Sequence, residues 1–187
     1  MAQKCESFAK ELSLIRNESI KEFLTYCIDH LPDYFFHVAA SSSGRFHPEY
    51  ALGEGGLLRH TKAAVWIAKE LFTLEMFPFS EEEQDLMLAA IILHDGQKQG
   101  KIEGGTVFDH PLLAAEFVKQ GNDETGLLNE DQEKFLYGCV ASHMGQWNTA
   151  RYSKTVLPKP KNKYQKFVHL CDYIASRKFL EMNFNKV

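Results

Sequence analysis

The sequence contains no apolar run long enough to cross a membrane and no apolar signal core near its N-terminus. A helical membrane anchor and a secretory leader are therefore not expected, and the cytoplasm is the expected location. Cysteine is scarce. Cys5, Cys27, Cys139 and Cys171 show no Cys-x-x-Cys spacing. The last three sit in apolar helical contexts and read as small buried hydrophobes of a reducing compartment. Strand-like alternation and internal repeats are both missing, which leaves an all-α chain. An excess of basic charge is missing too. Lys and Arg number 21 against 25 Asp and Glu, a net charge of −4. That argues against a large nucleic-acid surface. It leaves a small phosphorylated substrate open, because a metal can supply local positive charge.

What is present is enough for one domain. A chain of 187 residues buries a full core. Residues 1–40 are expected to form N-terminal helices packed on the main body, and 41–187 the main helical domain. Phe8, Leu12 and Ile15, then Ile20, Phe23, Leu24 and Cys27, recur at helical spacing over 4–30. These residues form one or two helices; Asn17 or Ser19 would begin the second, and Leu31-Pro32-Asp33 is the break that follows. The stretch from Ser41 to Pro48 is a loop by composition. Its ordinary reading is a solvated linker. Its functional reading is a phosphate loop, with Arg45 and His47 as substrate contacts.

Further helices follow. One begins after Gly53-Glu54-Gly55-Gly56 and carries His60 on the face of Leu57, Ala64, Ile67, Ala68 and Leu71. Ser80 and Glu83 form a capping box, and Glu81 to Glu83 suit the positive helix end rather than a metal. That helix runs to His94-Asp95, and the glycines at 96, 100, 104 and 105 break it. Lys98 and Lys101 lie in the break, and Lys98, three residues past Asp95, is the stronger functional candidate. Asp109 fits an N-cap, His110 follows it, and Pro111 suits the first turn. Gly121 to Gly126 reads as a polar turn. Leu136, Cys139, Val140 and His143 share the next face. Residues 148–162 form a basic loop after Trp147. The last helix is expected over about 163–182, with Phe167, Val168, Cys171, Ala175 and Phe179 in its stripe and Asp172 beside it.

Adjacent buried imidazole and carboxylate groups are costly without a compensating partner. Each of His60, His110, His143 and Asp172 alone reads as an ordinary helix residue. With His94-Asp95 they form a set of four histidines and two aspartates on apolar faces or helix ends, which points to one metal centre.

In this set the chain resembles the HD superfamily of metal-dependent phosphohydrolases, over about residues 50–182. The matching segments are Gly55-Gly56-Leu57-Leu58-Arg59-His60-Thr61, Leu93-His94-Asp95 and His169 to Arg177. The resemblance implies a single-domain helical bundle around a metal site. His60, His94, Asp95 and Asp172 would form the minimal site, and His110 and His143 would add a second metal with Asp95 bridging. The expected activity is cleavage of a phosphate ester of a nucleotide or short oligonucleotide by a metal-activated hydroxide. Asp95 and Lys98 would be catalytic. Arg45, His47, Lys62, Lys98 and Trp147 would bind substrate. The donor set suits Mn, Fe, Ni, Co or Zn.

Two features depart from the family. Gly96-Gln97-Lys98 stands where many two-metal relatives have an aliphatic residue and Gly-Lys. The Gly-Tyr-Pro loop of the cyclic-di-GMP branch is absent. Two other functions fit the same ligands: a di-iron oxygenase that uses O₂, and a non-catalytic module held together by metal. The N-terminal helices could also support a homodimer.

Overall fold

The computed structural model describes residues 2–41, 43–100 and 104–178, and among these every regular element is helical. Where one or two N-terminal helices are expected, there are three: α1 (Ala2–Ser7), α2 (Ala9–Leu12) and α3 (Glu18–His30). Asn17 caps α3, its side chain accepting from the Ile20 N–H at 3.2 Å. The other helices are α4 (Gly56–Leu71), α5 (Glu81–Leu93), α6 (His110–Thr125), α7 (Glu130–Ala141) and α8 (Lys163–Ala175). Phe8, Ile15, Ile20, Phe23 and Leu24 are buried in the same core cluster as Ile91, Val140 and Cys171. The N-terminal helices thus belong to the main core.

Helix α5 is the axis of the bundle. It packs against α3, α4, α7 and α8. Leu86 through Leu93 are all buried, so it is apolar all round, as expected of a helix enclosed by others. Its N-terminus is doubly held. Ser80 Oγ accepts from the Glu83 N–H and Glu83 Oε2 accepts from the Ser80 N–H, which completes the expected capping box. The buried Asp85 carboxylate accepts from the Arg16 and Asn17 N–H groups at 2.9 and 2.8 Å, tying α5 to the entry of α3. Its other end delivers His94-Asp95 to the centre of the molecule.

Three boundaries differ from the sequence reading. Gly121 lies inside α6, which continues to Thr125, and the turn comes at Gly126 to Leu128. A Cβ at Gly121 would stand 3.2 Å from Cys27 Sγ and 3.5 Å from the Phe23 ring, so glycine here serves the close approach of α3 and α6. Asn122 then organises the turn, bonding both the N–H and the carbonyl of Leu128. Asp109 takes the N-cap place of α6, but its side chain makes no capping hydrogen bond. Helix α8 ends at Ala175, earlier than the periodicity suggests. Phe179 and Lys101 lie outside the described residues.

Candidate metal centre

Five chain segments bring the six expected ligands together. His60 comes from the middle of α4, His94 and Asp95 from the end of α5, and His110 from the first position of α6. His143 comes from just past α7, and Asp172 from α8. All are buried except Asp172, whose side chain keeps 18% of its exposure. His60 Nε2 lies 3.0 Å from Asp172 Oδ1, and His94 Nε2 lies 3.6 Å from the same oxygen. Asp95 faces two ways. Its Oδ2 lies 3.5 Å from His94 Nε2, while its Oδ1 lies 3.1 Å from His110 Nε2 and 3.5 Å from His143 Nε2.

The backbone decides which nitrogens face the centre. His94, His110 and His143 each donate Nδ1–H to the carbonyl three residues earlier: Ile91 at 2.6 Å, Val107 at 2.7 Å and Val140 at 2.8 Å. A carbonyl only accepts, so Nδ1 carries the proton and Nε2 is left with its lone pair. Three such lone pairs converge with two carboxylates, and His110 Nε2 and His143 Nε2 face each other at 3.2 Å. Acceptors gathered in this way need a cation or extra protons between them. His94 Nε2 and Asp95 Oδ1 are buried without a hydrogen-bond partner. A metal ion would satisfy both, and the donor set fits one.

The surroundings favour the ligating forms of Asp95, Asp172 and His143, whereas burial opposes protonation of His94 but Asp95 and Asp172 outweigh it and raise its pKa. Burial opposes ionisation of Asp95, but Lys98 and His94 outweigh it and hold the carboxyl well below its usual range. Burial likewise opposes ionisation of Asp172, and His60 and His94 outweigh it. Burial lowers the His143 pKa to about 4, against the pull of Asp95. Three overlapping groups could hold a metal ion: His60, His94 and Asp95; His94, His143 and Asp172; and Asp95, His110 and His143.

The other expected site residues divide. Lys98 is at the cluster, its Nζ donating to Asp95 Oδ2 at 2.6 Å. The turn that carries it is pinned by Tyr34, whose hydroxyl donates to the Gly100 carbonyl and accepts from the Gln99 N–H. A Cβ at Gly96 would stand 2.7 Å from a Leu31 methyl and 3.1 Å from the Leu93 carbonyl oxygen, so a side chain there would displace Leu31. His47 also reaches the cluster. Its ring lies 5.4 Å from that of His60, and burial lowers its pKa to about 4.

Arg45 is exposed beside Phe46, with its guanidinium 5.3 Å from that ring. Lys62 does not join the cluster. Two residues past His60 it lies on another side of α4, and its amine pairs at 3.2 Å with the buried carboxylate of Glu11. That carboxylate also accepts from Trp66 Nε1, so Lys62 anchors the N-terminal helices.

Trp147 is part of a surface stack. Its ring lies 5.6 Å from Tyr173 at an interplanar angle of 16°, and the Arg177 guanidinium covers both. His169, which is not among the six expected ligands, donates Nδ1–H to the His143 carbonyl at 2.6 Å and so supports a ligand from behind. Its spacing of three residues before Asp172 places the two on one face of α8, a signal present in the sequence. Among known proteins, the chain matches no family model, and neither a curated protein nor a solved structure matches it.

Proposed function

We propose that the chain is a metal-dependent phosphohydrolase of the HD type, cleaving a phosphate ester of a nucleotide or short oligonucleotide. The observation that carries this reading is the set of convergent Nε2 lone pairs and ionised carboxylates with a lysine ammonium in contact. His60, His94, Asp95 and Asp172 would hold one metal and Asp95, His110 and His143 a second. Asp95 is shared between overlapping ligand groups, one oxygen toward His94 and the other toward His110 and His143, which supports two ions. Bound there, a divalent metal supplies Lewis acidity and brings the pKa of bound water from about 15.7 toward about 7.

The chain's own residues supply the rest. The Ile91, Val107 and Val140 carbonyls keep the imidazoles in one tautomer and one orientation. Lys98 is a cation with 13% of its side chain still exposed, so it can contact both Asp95 and an incoming phosphoryl oxygen. His47 adds a neutral imidazole beside His60, able to donate to or accept from a substrate oxygen.

The test is metal content of protein purified without chelator, together with turnover of phosphomonoester and phosphodiester probes with Mn²⁺ added. About two metals per chain with ester turnover is the expected result, and His110→Ala should then retain about one. Two irons with O₂ consumption and no ester hydrolysis would replace the reading with the oxygenase. A metal-free protein with no turnover would remove it.

A further inference from the structure

The overall charge of −4 hides a segregated segment. Residues 148–166 contain Arg151, Lys154, Lys159, Lys161, Lys163 and Lys166 and no carboxylate. All six are exposed. Lys163 pairs with Glu83, whereas the other five make no ion pair among the described residues. The segment is not a loose loop. Asn148 holds Leu157 twice, its carbonyl accepting from the Leu157 N–H at 2.9 Å and its Nδ2 donating to the Leu157 carbonyl at 3.1 Å. Leu157 is buried, so the strap between them is fixed at its base.

Aromatic rings along this strap pack against residues that neighbour the metal ligands in the chain. Trp147, 43% exposed and four residues past His143, stacks on Tyr173, the neighbour of Asp172. Tyr152 at the tip is 84% exposed and meets Phe108, two residues before His110. Arg177 lies over both rings of the Trp147–Tyr173 pair and presents a second flat surface. Exposed rings interleaved with unpaired cations match the chemistry of a single nucleic-acid strand: bases stack on rings whatever their identity, and phosphates follow the cations.

We infer that the strap from Trp147 to Lys161, with Tyr173 and Arg177, binds single-stranded nucleic acid and leads it to the His/Asp cluster. That the strand is the substrate rests on the hydrolase reading above; the surface itself does not. An acidic peptide would be drawn to the same cations but would gain nothing from the rings.

The experiment is fluorescence anisotropy of 5′-fluorescein-labelled (dT)8 and (rU)8 with the full chain in EDTA, which separates binding from turnover. Mononucleotide and an octaglutamate peptide serve as competitors. The octamers are expected to bind and to resist both competitors. Trp147→Ala and Tyr152→Ala should each weaken binding by about tenfold, the range of one lost base stack. Lys159→Gln with Lys161→Gln should reduce the slope of log K against log salt by about 1.4, at about 0.7 per phosphate contact.

Tyr152 is so exposed that its removal leaves the core untouched, and circular dichroism checks the fold of every variant. Equal competition by mononucleotide or octaglutamate would overturn the inference, as would binding unchanged in the ring variants. Octamer binding that persists in Asp95→Ala, without hydrolysis by the metal-loaded wild type, would keep the surface and refute the hydrolase. Ester turnover without octamer binding would do the reverse.

Discussion

At the residue scale, two lysines of one sequence class have opposite roles. Lys98 touches Asp95 at the cluster, while Lys62 neutralises Glu11 beneath the N-terminal helices. Replacing each by alanine separates them. Lys98→Ala should lower kcat by about 10²-fold, the scale of one lost electrostatic donor, with metal content and thermal midpoint little changed. Lys62→Ala leaves the buried Glu11 carboxylate with Trp66 as its remaining donor among the described residues and should cost about 3 kcal/mol in urea unfolding with KM unchanged. If Lys98→Ala loses metal, the lysine is structural; if Lys62→Ala raises KM, its exclusion from the site is wrong.

At the scale of elements, α5 depends on its ends and α6 on one glycine. Ser80→Ala removes half of the capping box and should cost about 1 kcal/mol. Gly121→Leu would gain helix propensity of about 1 kcal/mol. It must also place a side chain where a Cβ already meets Cys27 Sγ at 3.2 Å. Overpacking of that kind costs about 1–3 kcal/mol, so the expected sign is destabilising. Chemical denaturation of the pair of variants decides it, and a stabilised Gly121→Leu would show that α3 and α6 can separate freely. The helix itself was misread for a related reason. Glycine at 121 suggests a turn when read locally, whereas packing against α3 requires a glycine within a helix.

At the scale of the whole molecule, five segments converge on acceptors that lack protons to share. Metal binding should therefore be coupled to folding. An ion present at about 100 times its dissociation constant stabilises by about 2.7 kcal/mol, equivalent to about 5–10 °C in Tm for a chain of this size. Calorimetry before and after chelation measures this, with metal analysis to verify removal. An unchanged midpoint in verified metal-free protein would mean that the cluster is held by its own protons instead.

The sequence by itself determined the all-α class, the capping box at Ser80, and which histidines and aspartates stand on apolar faces, while the structure chose Asn17 over Ser19 as the cap of α3. These are local properties, set by periodicity and by hydrogen bonds spanning three or four residues. Only the tertiary structure decided that Lys62 faces Glu11, that α6 passes through Gly121, and that His169 supports His143 from behind. Each depends on which element lies opposite, and residue spacing does not encode that. The division of Asp95 between two histidine groups, which only the family resemblance implied beforehand, is of the same kind, because it depends on where His110 and His143 are brought relative to the end of α5.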